Sequence, residues 1–99
     1  MEIEMKRKGT TLSVDIIGRL DTLTSPELEK KLEPALDGVK EVIFNLKDLA
    51  YISSSGLRVL LAAAKVMEQN QGTVKVTEPN ESVMEVFELT GFDTVFNIG

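Results

Sequence analysis

The chain has 99 residues and a net charge of −5, is 42% hydrophobic, and contains neither cysteine nor histidine. This length fits one domain over residues 1–99, and the missing residue types exclude disulfides, thiolate metal sites and the commonest general base. The acidic balance and the absence of a long apolar run argue against nucleic-acid and membrane partners, so we expect a soluble, cytoplasmic protein that functions through its surface.

The first twenty residues predict a β-hairpin. Ile3 and Met5 alternate with charged residues, a turn follows at Gly9, and apolar residues alternate with polar ones from 12 to 16. A period of two is typical of strands that bury one face. The segment Gly18-Arg19-Leu20-Asp21 breaks the alternation, so we expect the second strand to end there.

A helix is predicted from Ser25 to about Gly38. Ser25 is expected to cap it, because serine is favoured before a helix and Pro26 is favoured in the first turn. Leucines follow at a spacing of four, which places them on one face. Pro34 lacks a backbone donor, so we expect a kink or a restart at that position.

The central part of the chain predicts a strand, a loop and a second helix. Residues 42–46 are rich in β-branched and aromatic side chains, as strands are. A loop containing Ser53-Ser54-Ser55-Gly56 follows, and helical spacing of apolar residues begins near Leu57. The stripe expected to face the core consists of Leu57, Leu60, Leu61, Ala64 and Met67.

The last third predicts a strand over 73–77 and a third helix that is capped by Asn80 or Ser82 and ends at Gly91. Segment 95–98 is either a final strand or an irregular packed end. Strands that alternate with helices predict an α/β fold, here a single-domain mixed β-sheet with helices packed mainly on one face.

The serine run is the main candidate site, because it leads into a helix N-terminus, where backbone N–H groups favour an anion. On the residues alone, capping is the commoner role of such serines, and carrying a phosphate is the functional alternative. A nucleophilic serine needs a base, and neither a histidine nor a Ser-x-x-Lys motif is present. We therefore expect no enzyme activity and no cofactor.

Three aspartates are weaker candidates. Asp21 and Asp48 are either turn residues or functional acids near the serines. If the Asp21 loop faces a partner, Asp21→Ala should weaken partner binding with little loss of stability. Asp93 could join them around a metal, but the oxygen ligands lack the spacing of a calcium loop. We expect no metal site.

Three segments together resemble the STAS domain family, especially bacterial anti-sigma factor antagonists. Residues 42–57, which end in Ser53-Ser54-Ser55-Gly56-Leu57, are similar to a family signature in which an apolar strand leads to Asp-Ser-Ser/Thr-Gly-Leu. Gly18-Arg19-Leu20-Asp21-Thr22 resembles a Gly-Glu-Leu-Asp element, and Leu89-Thr90-Gly91-Phe92 resembles the family's hydrophobic-x-Gly-hydrophobic ending. The resemblance spans nearly the whole chain.

The resemblance implies a phosphorylation site. The family's phosphoacceptor position falls on Ser54, and Ser53 is a possible minor site because it replaces the family's usual aspartate. Asp21, Thr22, Ser53, Ser55 and Gly56 occupy positions expected at the partner-binding surface.

The resemblance also implies partners. The unmodified form would bind an anti-sigma factor that is also a serine kinase and so release a sigma factor, and a PP2C-type phosphatase would reset the phosphorylated form. Because some STAS proteins are never phosphorylated, the alternative is a scaffold subunit of a larger signalling or transport complex. The oligomeric state stays open.

Overall fold

Six strands and three α-helices follow one another along residues 1–98, which a computed structural model describes. In chain order they are β1 (Glu2–Lys8), β2 (Thr11–Leu20), α1 (Ser25–Ala35), β3 (Glu41–Asn45), β4 (Leu49–Ile52), α2 (Ser54–Gln69), β5 (Thr73–Thr77), α3 (Glu81–Thr90) and β6 (Asn97–Ile98). The predicted order is confirmed except for β4, which lies where the sequence predicts a loop.

The strands form one mixed sheet in the order β1-β2-β3-β5-β6. β1 and β2 are antiparallel, and the pairs that follow across the sheet are parallel. Parallel neighbours need crossover connections, and the three helices supply them. β4 lies off this path and pairs in parallel with the end of β2.

The core lies between the helices and one face of the sheet. Val14, Phe44 and Val76 are paired neighbours on β2, β3 and β5, and all three are fully buried. The residues that alternate with them, such as Asp15 and Ile43, are only half-buried. The helices therefore cover one face, as the predicted fold class requires.

The start and end of α1 differ from the prediction. Ser25 does not cap the helix: it is its first residue, is buried, and donates its hydroxyl hydrogen to the carbonyl of Asp21. Pro34 neither breaks nor restarts the helix, which ends one residue later. In the last turn proline removes only its own donor, and Leu36 N still donates to Leu32 O at 3.2 Å.

The second helix, α2, begins at Ser54, three residues before the predicted start. Its buried face includes Leu57 and Met67 as predicted, whereas Leu61 and Ala64 are only half-buried. The face is rotated because Val59 and Ala63 are buried in their place.

The third helix, α3, is capped by Asn80, whose side-chain oxygen accepts from Val83 N at 2.7 Å, and not by Ser82. It ends at Gly91, which has the left-handed φ of 76° that glycine adopts readily. Segment 95–98 contains the short strand β6. Over residues 1–98 no helix combines the length and apolarity needed to cross a membrane.

Candidate functional site

The ends of β2 and β4 bring two loops of the chain together. Leu20 of β2 pairs with Ile52 of β4, and Ser53 N donates to Leu20 O at 2.9 Å. The loop that begins at Asp21 therefore starts beside Ser53, the single residue between β4 and α2. A shallow depression of about 230 Å³ lies between this loop and the start of α2 and is lined by residues that include Thr22 and Ser55.

Ser53 is the N-cap of α2. Its backbone is extended, its side-chain oxygen accepts from Gly56 N at 3.2 Å, and its carbonyl accepts from Leu57 N at 3.0 Å. The side-chain bond satisfies one of the N–H groups that a helix start leaves free, and the carbonyl accepts the first bond of the helix itself. The capping interpretation is therefore correct for Ser53.

Ser54 is the first residue of α2 and the one exposed residue of the three serines, since Ser53 and Ser55 are half-buried. The structure thus divides the run between a capping serine and an exposed serine. Both roles that the sequence leaves open for the serines can coexist, one residue apart.

Gly56 is where α2 packs on the sheet. A Cβ atom at this position would lie 2.7 Å from Leu20 Cγ and 3.0 Å from Ile52 Cγ1. Real Cβ atoms do not approach that closely, so packing requires glycine here. Because Gly56 is buried, this role is structural.

Asp21 closes the turn before α1 through a reciprocal set of hydrogen bonds with Thr24. Its Oδ1 accepts from Leu23 N at 3.0 Å and from Thr24 N at 3.1 Å, and its own N–H donates to Thr24 Oγ1 at 2.8 Å. The Thr24 hydroxyl lies 3.1 Å from Oδ1 and 2.8 Å from Arg19 O. Sequence reasoning missed Thr24, although Asp-x-x-Thr before a helix is a signal for such a turn.

The hydrogen bond from the backbone N–H of Thr24 is the largest cause of a lowered Asp21 pKa. Partial burial opposes it, and the Leu23 N–H, the Thr24 hydroxyl and the charge of Arg19 lower the pKa further. Arg19 contributes least, since its Nε lies 3.9 Å from Asp21 Oδ2 and its side chain is 63% exposed. Asp21 is therefore a structural turn acid with part of its carboxylate still accessible.

Beside this turn lies a small exposed patch that the sequence analysis does not identify. Arg19 and Tyr51 pair across β2 and β4, and the guanidinium carbon lies 4.5 Å from the ring centroid. Leu23 extends from the adjacent loop and is 88% exposed. A cation stacked on an aromatic ring next to an exposed leucine is suited to contact another protein.

The other two aspartates do not join the site. Asp48 comes just before β4, and its carbonyl accepts from Gly18 N at 3.0 Å. Since Ser54 comes after β4, the strand separates the two residues, and the prediction of an acid near the serines is wrong for Asp48. No group of three potential metal-binding side chains occurs in the described stretch, so Asp93 belongs to no such group there.

The sequence matches a known domain family over almost its whole length. A profile of the STAS domain matches residues 2–99. BtrV of Bordetella bronchiseptica, named as a candidate anti-sigma factor antagonist, is 35% identical over 99 residues, which cover 99% of this chain and 85% of BtrV. The anti-sigma-B factor antagonist of Bacillus subtilis is 26% identical over 98 residues and is covered to 90%.

The fold is also similar to solved structures of one protein in two states. SpoIIAA, described as an anti-sigma factor antagonist in its unphosphorylated form, superposes with a TM-score of 0.88 at 21% identity, over 99% of this chain and 88% of its own. The phosphorylated form of Bacillus SpoIIAA gives a TM-score of 0.79 at 20% identity, over 99% and 91% of the two chains.

Proposed function

This chain belongs to the STAS domain family, and from that premise we propose that it is an anti-sigma factor antagonist controlled by phosphorylation. In the unmodified state it binds an anti-sigma factor in the cytoplasm and thereby frees a sigma factor for transcription. Phosphorylation by the same partner, acting as a serine kinase, ends the binding, and a PP2C-type phosphatase restores it. The chain itself catalyses no reaction. Relatives named as anti-sigma factor antagonists match it over nearly its full length, which supports this assignment.

The observation that carries the proposal is the position of Ser54. It is exposed, it begins α2, and Ser53 supplies the cap beside it. A phosphate on Ser54 therefore meets the free N–H groups and the positive end of the helix dipole without displacing the existing cap. A kinase can reach this hydroxyl, and the fold can hold the added charge.

Ser53 and Ser55 are poorer acceptors for physical reasons. Ser53 is half-buried and its hydroxyl oxygen already accepts from Gly56 N, so a kinase reaches it less easily than the exposed Ser54. Ser55 is half-buried and lines the depression next to Thr22. We therefore propose Ser54 as the acceptor, with Ser53 as a minor site at most.

The partner-binding surface proposed here surrounds Ser54 and includes the loop from Asp21. Thr22 and Ser55 both line the depression, and the exposed Leu23 follows Thr22 in the same loop. A partner packed on this surface would have to strip water from a doubly charged phosphate, which costs several kcal/mol without a compensating cation. Phosphorylation thus opposes binding directly, without any need to unfold the protein.

The decisive experiment is incubation with the cognate anti-sigma kinase and ATP, followed by intact mass measurement and phosphopeptide mapping. We expect one added phosphate on Ser54, and we expect Ser54→Ala to abolish it while preserving binding of the partner. Ser53→Ala is the matched control and should still be phosphorylated. Phosphate found only on Ser53 or Ser55 would show that the alignment of this chain with the family motif is wrong.

One feature favours the alternative of an unphosphorylated scaffold subunit. Ser53 stands where the family resemblance places an aspartate, and that change could make the site unsuitable for a kinase. An unmodified mass after prolonged incubation with a kinase that binds the chain tightly would support the scaffold and contradict the switch.

A further inference from the structure

We infer that β1 is a self-association surface, at which two copies of this chain pair antiparallel with Met5 opposite Met5 of the second copy. The two sheets then become one continuous sheet across a two-fold axis. This inference rests on the edge and the charges of β1 and does not depend on the proposed function.

β1 is a long, regular edge strand. It ends the strand order and forms seven consecutive pairs with β2 without a register shift, from Glu2 to Lys8. At about 3.4 Å per residue, its outer edge presents roughly 24 Å of backbone groups to another strand. The opposite edge, β6, has two residues. Natural proteins usually blunt long edges with proline, bulges or charged side chains. β1 has neither proline nor a bulge, and its charged side chains oppose pairing with a strand of like charge but not with a strand of complementary charge.

The sequence of β1 is self-complementary in charge about Met5. Positions one residue away carry Glu4 and Lys6, and positions three residues away carry Glu2 and Lys8. Antiparallel strands centred on Met5 place each glutamate directly opposite a lysine of the second copy, on the same face. This register forms four such pairs, and opposite charges stabilise cross-strand pairs.

Other ways of pairing two β1 strands are disfavoured by the same charges. A shift of two residues in either direction places Glu4 opposite itself or Lys6 opposite itself, and parallel in-register pairing aligns every charge with its like. Because side chains alternate between faces, a shift of one residue would place the charged face of one strand on the same side of the sheet as the apolar face of the other. The charge pattern therefore selects one register.

The fold leaves these charges available. The four charged side chains lie on the sheet face away from the helices, as the pairing of Glu4 with Asp15 and of Lys6 with Ser13 indicates. The ion pair within the described part of the chain joins Arg19 to Asp21, at the other site. Glu4 faces the like charge of Asp15 in its own sheet, so a lysine from a second copy would relieve that repulsion.

The other face of β1 also gains from pairing. Ile3 and Met5 point towards the core and remain half-buried at its margin. A two-fold axis perpendicular to the sheet keeps the helices of both copies on one side. It places Met5 against Met5 and Ile3 opposite Arg7 of the second copy, whose aliphatic stem can cover Ile3. Because each copy uses its one long edge, the assembly closes at two copies and does not extend into a fibre.

The contact is confined to one strand and its neighbouring side chains, so it should be weak and dependent on salt. Interfaces below about 1,200 Å² are typically transient, and exposed ion pairs are screened as ionic strength rises. We expect a dimer that forms at high protein concentration in low salt and dissociates on dilution.

Sedimentation equilibrium over a range of concentrations tests this with charge reversals. Glu4→Lys places two like-charged contacts in the dimer and should raise the dissociation constant at least tenfold. The double change Glu4→Lys with Lys6→Glu restores the complementarity and should return the constant to within about threefold of the original. Glu88→Lys, an exposed reversal on α3 with the same change in net charge, is the matched control and should have little effect.

Cysteine crosslinking tests the register, since the natural chain has no cysteine. Met5→Cys should form an intermolecular disulfide, because directly opposed residues have Cα atoms about 4.5–5.5 Å apart. Ile3→Cys should not, because the two copies of position 3 would lie four residues apart, about 14 Å. Thermal melting of each variant confirms that the fold is retained.

A natural chain that stays monomeric at millimolar concentration in low salt would overturn the inference. So would a dimer that Glu4→Lys leaves intact, a double reversal that fails to restore it, or crosslinking of Ile3→Cys in place of Met5→Cys. The kinase assay on Ser54 is read out separately, so failure of either proposal is recognisable by itself.

Discussion

The turns that precede α1 and α2 lie side by side and use similar polar residues in opposite ways. In the first, the Asp21 carboxylate and the Thr24 hydroxyl bond to each other's backbone N–H groups. In the second, Ser53 caps the helix with one bond, and the next hydroxyl, on Ser54, is exposed. One turn is closed by its own side chains, and the other leaves a hydroxyl exposed.

Under the proposed function, this contrast lets one small domain combine a fixed surface with a modifiable one. The closed turn holds Thr22 and Leu23 in place, because their loop is bonded at both ends. In the open turn the exposed residue, Ser54, is not the residue that supplies the cap. The predictions that follow test whether the two turns differ in this way.

The largest effect is expected where the open turn meets the sheet. Gly56→Ala should destabilise the protein by about 1–3 kcal/mol, because the added methyl group would lie 2.7 Å from Leu20 Cγ. Urea denaturation measures the loss. Ser54→Ala, an exposed change in the same helical turn, is the control and should stay within about 0.5 kcal/mol. Equal stability of the two variants would mean that Gly56 does not pack closely against Leu20 of β2.

The next effect concerns the open turn after modification. Phosphorylation of Ser54 should lower affinity for the kinase partner at least tenfold, about 1.4 kcal/mol, because the interface would have to bury a dianion. The melting temperature should stay the same or rise slightly, since a charge at an exposed helix N-terminus stabilises by about 0.3–1 kcal/mol. Calorimetric melting and a binding titration, each on the phosphorylated and the unmodified protein, measure the change in stability and the change in affinity separately. A clearly lower melting temperature would favour release by distortion of the fold.

The closed turn should respond to loss of its acid. Asp21→Ala removes the acceptor of two backbone N–H groups, so we expect the melting temperature to fall by about 4–8 °C, as for loss of a helix cap. This differs from the prediction made from the sequence, in which Asp21→Ala costs little stability. Partner affinity measured well below the melting temperature shows whether Asp21 also contacts the partner, in addition to its role in the turn. Unchanged stability with lost binding would identify a contact residue that has no structural role.

The smallest effect is a dependence on pH that belongs to the closed turn. The folded pKa of Asp21 is lowered from its unfolded value of about 3.9, so its ionised form stabilises the fold at higher pH. That stabilisation is lost as the pH falls through the folded pKa. The difference in melting temperature between the natural chain and Asp21→Asn should therefore shrink between about pH 6 and pH 3. A difference that stays constant over this range would show that the charge is not involved.

Much of the architecture is predictable because its elements are long and periodic. β2 alternates buried and half-buried residues over most of its ten positions, and β3 does so over five. β4 is different: Leu49 and Ile52 are buried, and the two residues between them are exposed, so no period of two appears. The strand is defined by its pairing with the end of β2, a long-range contact that local patterns do not carry.

The site is predictable in position but not in the division of roles within it. The family resemblance predicted that the segment from Asp21 lies near the serine run. The pairing of Leu20 with Ile52, which directly precede these two segments, brings them together. Which serine caps and which is exposed depends on where α2 begins, and helix boundaries are weakly encoded in local sequence. The bonding of Asp21 to Thr24 likewise depends on the backbone path of the turn.

The stacking of Arg19 on Tyr51 gives the protein a natural optical reporter. Tyr51 is the chain's single tyrosine and there is no tryptophan, so near-ultraviolet fluorescence originates almost wholly from one ring. That ring lies under a guanidinium group whose Nε is 3.9 Å from Asp21 Oδ2, and it precedes Ser53 by two residues. Emission intensity should therefore follow partner docking and phosphate transfer as they occur, without any attached dye.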